Sequence, residues 1–585
     1  MSYFDDASLV MIPSGYKEDK VYSVKPIDGS GDLDFTRASS ATRIGSDGNI
    51  EKTRTNSILY SNDFDTGFSK TRASLVSGQS GYDGSSDAWG FVDTADNSTH
   101  LIVQTVASSE VATFSVYAKA GAVNFIAFRY EDATVDYAYF DLANGILGTI
   151  DSDYITANIT SVGNGWYRCE AVRTSANKVV ILSAQSDNDP TYAGAGTTAI
   201  YIQDSQLEQG LVATSYIETT STAVSVGSYD NVPRLNYTAG STSSCPSLLL
   251  EPQRTNLIDN SEYLGAWTQL NSSGTTNATI SPENVSNAYL LTEDTSNNQH
   301  RLSLMRSVTS GVDYVFSVYA KPNGRSKIRV RLENSGVGSG AINVSFDIQN
   351  GISLSANGTI ENVGNGWYRC IATGTSTSTG KLAILNLLDD DYNFTYTGDG
   401  SSGAYFYGAQ LEEASYATSY IPTYGATVTR VTDNCEKSGI SSLLGQTEGS
   451  VFFEYTVSSD DTTTFSRILN LRNASSSEQI YLQQDADNAF KAVVYNGSNQ
   501  FIGNTTSGFA IKGTTYKMAL AYKDSDYAFY IDGVSIETSS ASGLGTLSIS
   551  FIDFDTNLIS ASNKCKKLLV FKTRLSNTQL AELTT

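Results

Sequence analysis

The chain contains only two histidines, His100 and His300. They stand at matching positions of an internal repeat, so they read as a repeated structural element rather than as a Ser-His-Asp triad or a histidine metal site. The five cysteines are an odd number. Cys169 and Cys370 each close a Trp-Tyr-Arg-Cys run with the pattern of a strand, which predicts reduced, buried thiols in a protein made in a cytoplasm. No Cys-x-x-Cys pair, Walker loop or His-Glu-x-x-His motif occurs. What remains is carboxylate chemistry, since a glycoside hydrolase needs only an acid and a base carried by two Asp or Glu residues. With 61 acidic residues, chance pairs are unavoidable. None is singled out, and no catalytic residue is assigned.

Aromatic rings could hold sugars, because the C–H face of a pyranose lies on a ring while polar neighbours meet its hydroxyls. Trp166 and Trp367 are repeat equivalents, Trp89 aligns with Tyr289, and Trp267 aligns with Phe68. Rings kept in register between two copies are expected in the core. The 35 tyrosines offer surface platforms, but the sequence does not say which face solvent, so no ligand-binding or metal residue is assigned.

The elements that position these residues are strands. At 585 residues the chain is too long for one core, and three or four domains are expected. Its 48 Gly and 35 Tyr against 4 Met favour half-buried strands joined by turns. The formal charge of −23 repels phosphate backbones and anionic headgroups, which argues against nucleic acid and membrane as partners. No signal peptide and no run long and apolar enough to span a bilayer is visible. Asn-X-Ser/Thr triplets such as those at Asn158 and Asn271 then carry no glycosylation meaning.

Comparing the chain with itself reveals the repeat. Phe114-Ser-Val-Tyr-Ala-Lys119 returns as Phe316-Ser-Val-Tyr-Ala-Lys321, and Val162-Gly-Asn-Gly-Trp-Tyr-Arg-Cys169 as Val363-Gly-Asn-Gly-Trp-Tyr-Arg-Cys370. Gln206-Leu-Glu208 and Ala213-Thr-Ser-Tyr-Ile217 return as Gln410-Leu-Glu412 and Ala417-Thr-Ser-Tyr-Ile421. The offset drifts only from 201 to 204 residues, which fits a duplicated domain and is too long for a solenoid unit. Phe114, Val116 and Ala118 fall on one face of a strand and Ser115, Tyr117 and Lys119 on the other. Asn164-Gly165 and Asn365-Gly366 supply the positive φ of a tight hairpin. Short strands with no helical crossover suit a two-sheet sandwich of jelly-roll type.

From about residue 436 the texture changes and has no upstream counterpart. Val451-Phe-Phe-Glu-Tyr-Thr-Val457 and Thr515-Tyr-Lys-Met-Ala-Leu-Ala-Tyr522 read as central strands, and Asp532-Gly533 as a hairpin turn. Ser576-Asn-Thr-Gln579 offers a capping box for a final helix, with Leu580 and Leu583 spaced to dock on the sandwich.

The motifs carry a family resemblance. Ser261-Glu-Tyr263 near Trp267, the Phe-Ser-Val-Tyr-Ala-Lys and Gly-Asn-Gly-Trp-Tyr-Arg-Cys runs, and Gly408-Ala-Gln-Leu-Glu412 with Ala417-Thr-Ser-Tyr-Ile-Pro-Thr423 resemble the phage head-spike-fibre domain, a carbohydrate-binding-module-like jelly roll. Phe35-Thr-Arg-Ala-Ser-Ser-Ala-Thr-Arg43 with Asp47-Gly-Asn-Ile-Glu51, and Val232-Pro-Arg-Leu-Asn-Tyr237 with Cys245-Pro-Ser-Leu-Leu-Leu-Glu-Pro-Gln253, resemble a leader of phage structural proteins, here split in two. Tyr516-Lys-Met-Ala-Leu-Ala-Tyr522, Tyr530-Ile-Asp-Gly533 and Leu569-Val-Phe-Lys-Thr-Arg-Leu-Ser576 are similar to laminin-G-like, concanavalin-like sandwiches. The expectation is an all-β chain of two tandem jelly-roll β-sandwiches followed by a concanavalin-like sandwich. It divides as a leader and virion anchor at 1–55, a jelly roll at 56–224, a second leader segment at 225–255, a jelly roll at 256–430 and the final sandwich at 436–585. Such sandwiches commonly carry calcium at a loop, and Asp389-Asp390-Asp391 and Asp460-Asp461 are candidates, though solvated turn tips are the preferred reading.

The resemblance implies a non-enzymatic virion protein of a tailed bacteriophage, made in the host cytoplasm. It would be a head or tail fibre or spike subunit, trimeric by preference, packed on other capsid or tail proteins and adhering to bacterial surface polysaccharide. The alternatives are a purely architectural decoration protein and a polysaccharide depolymerase. Fold alone does not choose among them.

Overall fold

The Asn164-Gly165 hairpin forms as the turn chemistry requires. In the computed structural model, which describes residues 3–108, 110–131, 135–333, 342–458, 465–554 and 563–585, strands Thr156–Gly163 and Trp166–Arg173 pair with Gly163 opposite Trp166. Asn164 and Gly165 take φ of +53° and +77°. Asn365 and Gly366 repeat this at +52° and +78°, with Gly364 opposite Trp367.

Each copy is two packed antiparallel sheets. In the first, one sheet runs Thr156–Gly163, Trp166–Arg173, Ala112–Ala120, Thr198–Gln209, Ala88–Asp93, Ala73–Gln79. The second copy reproduces the order as Gly358–Gly364, Trp367–Thr375, Asp313–Asn323, Gly403–Glu413, Ala288–Glu293, Ser272–Thr279. The opposing sheets also correspond, centred on Ala176–Ala184 and Lys381–Leu388. Phe114, Val116 and Ala118 point into one core, and Phe316, Val318 and Ala320 into the other.

The third sandwich has larger sheets. The strand Glu448–Val457 lies between Thr515–Lys523 and Asn563–Phe571. Asp532 and Gly533 turn the hairpin from Tyr527–Ile531 to Val534–Ser539 at φ of +47° and +79°. The helix Asn577–Thr584 begins with the complete Ser576–Gln579 capping box, and Leu580 is buried against the outer side of the sheet.

The leader segments at 1–55 and 225–255 are drawn into the third sandwich. Leu9–Met11 and Ser247–Leu250 both pair with Asn563–Phe571, while Leu33–Thr36 pairs with Asn434–Lys437. Leu9, Met11, Leu33, Phe35, Leu235, Leu248 and Leu250 are buried in the same core as Phe453 and Met518. The physical reason is twofold: an unpaired edge strand leaves a row of amides and carbonyls open, and these leader side chains are too apolar to remain in water. Each jelly roll is stitched in where it enters and leaves: Arg54–Asn56 pairs with Val224–Val226, and Arg254–Asn256 with Val428–Arg430.

Candidate functional site

The strand Asn563–Phe571 carries the residues that single out one cleft. Its register against Glu448–Val457 slips, with Glu454 opposite Lys567 and Tyr455 opposite Cys565, so Lys566 is an extra residue. A bulge of this kind turns two successive side chains to one face. Cys565 and Leu568 stay in the core, while Lys566 and Lys567 are both half-buried on the outward face with Lys564. Lys512, just before Thr515–Lys523, joins them.

These lysines form one wall of a cleft of about 940 Å³. The opposite wall is the second jelly roll, through Glu361, Val363, Arg369 and the 417–420 segment, and the leader lines the base through Thr42, Tyr237 and Ser247. Lys566 donates to Thr515 Oγ1 at 3.2 Å, and Lys567 Nζ lies 3.9 Å from Glu454. Lys512 and Lys564 have no carboxylate within ion-pair distance among the described residues.

The walls are held by two buried ionic clusters. In one, Glu251 accepts from Arg234 at 2.6 Å, from Arg430 at 2.7 Å and from the Ser419 amide and hydroxyl at 2.8 and 2.6 Å. Asp433 pairs with Arg37 at 3.0 Å and with Arg234. Burial opposes ionisation of Glu251, yet Arg430 and Arg234 outweigh it and hold this carboxyl well below the ordinary range. Burial, eased by Asp433, lowers Arg37 to about 10. The cluster joins first leader, second leader and the exit of the second jelly roll.

In the other, Lys52 donates to Glu262 at 2.6 Å and to the Tyr424 hydroxyl at 2.6 Å, with Glu283 at 3.1 Å. Arg54 pairs with Glu283, and Tyr407 donates to Glu283 at 2.7 Å. Burial pushes Lys52 down, and neighbouring Arg54 adds to the fall. Burial also raises Tyr407, Tyr420 and Tyr424 well above the ordinary phenol value. This cluster docks the leader hairpin Thr42–Ile44 and Ile50–Lys52 on the second jelly roll, where Ile50 packs with Trp367 and Tyr420.

His100 lies with its ring nitrogens 2.8 and 3.2 Å from the Arg72 and Tyr192 carbonyls, and His300 with 2.7 and 3.3 Å to those of Asn271 and Tyr396. Both rings are fully buried and hold turns together. Trp166, Trp267 and Trp367 are core residues. Trp89 is half-buried and donates to the Asn62 carbonyl at 2.7 Å. Four cysteines are buried free thiols, but Cys245, expected buried with them, is exposed on the cleft rim because it sits in an irregular stretch before Ser247–Leu250. Asp389 caps its own turn, accepting from the Asp391 and Asn393 amides at 3.0 and 2.7 Å. Asp460 and Asp461 lie outside the described residues. No group of three His, Cys, Asp or Glu suited to a metal occurs among the described residues.

The lysine wall and both ionic clusters were missed from the sequence. One signal was available for the lysines, the run Lys564-Cys565-Lys566-Lys567 in an acidic chain. Another missed device is the Arg-Thr-Asn repeat at 54–56 and 254–256. Buried Asn56 donates to the Ser205 and Ile217 carbonyls and accepts from the Ile58 and Leu207 amides, and Asn256 repeats all four bonds.

No family model matches the chain, and no curated protein matches it. Among solved structures, a Ruminococcus gnavus IT-sialidase CBM40 bound to alpha2,3 sialyllactose is 10% identical over 25% of this chain and 91% of its own, with a TM-score of 0.21. A botulinum neurotoxin type C structure, described for cell entry dependent on two ganglioside molecules, is 13% identical over 26% and 39%, with a TM-score of 0.23. A heptameric SAP-like pentraxin from Limulus polyphemus is 15% identical over 24% and 70%, with a TM-score of 0.20.

Proposed function

We propose that the chain is a non-enzymatic fibre or spike subunit of a tailed bacteriophage that holds bacterial surface glycan in the cleft between its second jelly roll and its third sandwich. The observation that carries the glycan reading is the cleft itself. Thr42, Thr238, Ser247, Thr456, Thr515 and four lysines line it, beside Tyr237. Such a lining, mixed in polar and apolar surface, matches a ligand that offers both hydroxyls and a C–H face. Glu251, a carboxylate of the cleft base, is engaged by two arginines and Ser419 and is not available as an acid or base. The virion assignment is supported by the paired jelly-roll motifs and the split leader.

Exposed Cys245 gives the test. The full chain labelled there with a bulky maleimide is expected to lose saturable, polysaccharide-competed binding to host cells, without releasing new reducing ends from the polysaccharide. Undiminished binding by the labelled protein would remove the cleft from the reading. Absence of the protein from purified particles would remove the virion assignment, and a native mass showing only monomer would remove the trimer.

A second reading, an architectural decoration protein, is favoured by one observation: the Arg37, Arg234, Glu251, Arg430 and Asp433 cluster fastens both leader segments to the exit of the second jelly roll. Particles carrying the labelled protein that adsorb normally would point that way.

A further inference from the structure

We propose that the cleft takes an anionic polysaccharide, its carboxylate, sulfate or phosphate groups seated on Lys512, Lys564, Lys566 and Lys567. This rests on the glycan-binding reading above and adds the charge of the ligand.

In a chain with 61 acidic and 38 basic residues, cations should find carboxylates easily. These four have a single ion-pair partner within 4.0 Å among the described residues, Glu454 at 3.9 Å from Lys567. Lys564 and Lys566 are two residues apart on one strand face, a spacing of about 7 Å. Charges carried by residues that close along the backbone are only partly screened at physiological salt, where the Debye length is about 8 Å, so an anion seated beside both lysines would be favoured.

The bulge points the same way. In a regular strand Lys567 would alternate into the core, and an unpaired buried ammonium there would be severely unfavourable. The register slip at Glu454 and Tyr455 instead delivers Lys566 and Lys567 together to the cleft side. Backbone geometry and charge thus act together on one surface.

The other charges of the cleft are mostly engaged. Glu251, at the base, is neutralised by Arg234 and Arg430. Arg369 is buried and donates to the Thr418 carbonyl at 2.7 Å, which fixes it as part of the wall. Glu361 and Glu454 are the remaining lining carboxylates against four lysines. The hydroxyl-bearing lining around them favours an acidic sugar chain over an acidic peptide, which would present amides to the same groups.

The experiment uses the intact chain and immobilised polygalacturonate, carboxyl-reduced polygalacturonate, dextran sulfate, dextran and polyglutamate. Polygalacturonate or dextran sulfate should bind at least about tenfold tighter than its uncharged counterpart, and weaken at least about tenfold as salt rises from about 50 mM to about 300 mM. The double variant Lys564→Glu with Lys566→Glu should lose at least about tenfold in this affinity while keeping its thermal midpoint, because both side chains are outward. Lys523→Glu, away from the cleft lining, serves as a charge control and should change little. Equal binding of charged and uncharged forms, untouched by the double variant, would overturn the anionic inference and leave glycan binding standing. Polyglutamate binding as tightly, with the same lysine dependence, would overturn the sugar class. No binding by any polyanion at low salt would also overturn the inference, while labelling at Cys245 would still decide the reading it rests on.

Discussion

Gly240 and Gly364 meet backbone to backbone. A β-carbon on Gly240 would stand 2.8 Å from the Gly364 nitrogen, and one on Gly364 would stand 2.8 Å from the Gly240 α-carbon. The repeat equivalent, Gly163, has nothing within 4 Å of such a carbon. The leader therefore docks on the hairpin of the second jelly roll, which gives two hairpins of the same Val-Gly-Asn-Gly-Trp-Tyr-Arg-Cys sequence different contacts.

Alanine at these positions should expose the difference. Both glycines take a positive φ, +95° at Gly163 and +89° at Gly364, so each substitution should cost about 1–2 kcal/mol in backbone strain. Gly364→Ala should cost a further ~1–3 kcal/mol, because leader backbone must move aside. Scanning calorimetry of the two variants reads the gap directly, and equal losses would mean that the contact is unimportant.

Lys52→Met should destabilise the docking of the leader and the two jelly rolls by about 3–5 kcal/mol, since it leaves Glu262 and Glu283 buried with less compensation. Limited proteolysis near residues 210–225 should accelerate. Adding Glu262→Gln should recover part of the loss, an outcome that simple loss of packing at Lys52 would not produce.

Acid should act through Glu251. Its folded-state value lies below the ordinary 4.5, so its stabilisation is complete above about pH 4.5 and is lost as the pH falls below that value. Denaturant titrations from neutral pH downward should show a stability slope that Glu251→Gln flattens. The same variant should already be weaker at neutral pH by about 3–5 kcal/mol, because Arg234 and Arg430 lose a buried counter-ion.

The thiols give a direct count. In the native protein one cysteine, Cys245, should react promptly with a disulfide reagent, and Cys169, Cys370, Cys435 and Cys565 only after unfolding. Burial raises all four of these thiols and so keeps them from ionising. Two or more fast thiols in folded protein would contradict the packing.

What the sequence determined on its own is what neighbouring residues decide among themselves. Asn164-Gly165 and Asp532-Gly533 can adopt positive φ wherever they sit, Phe114, Val116 and Ala118 alternate with a period that only a strand satisfies, and Ser576 and Gln579 close a cap within one turn. The all-β sandwiches followed from those local facts and from the duplication.

Only the tertiary structure decided the rest, because it depends on partners hundreds of residues apart. Leu9 pairs opposite Val570, and Arg37 meets Asp433, at separations where local pattern carries no information about pairing. Lys566 and Lys567 face the cleft through a register slip against Glu454 and Tyr455, and register is set by the partner strand rather than by the lysines. Charge and apolarity told which residues needed partners. Which partners they found, and so where a cleft was left between the second jelly roll and the third sandwich, was settled by packing three domains around one split leader.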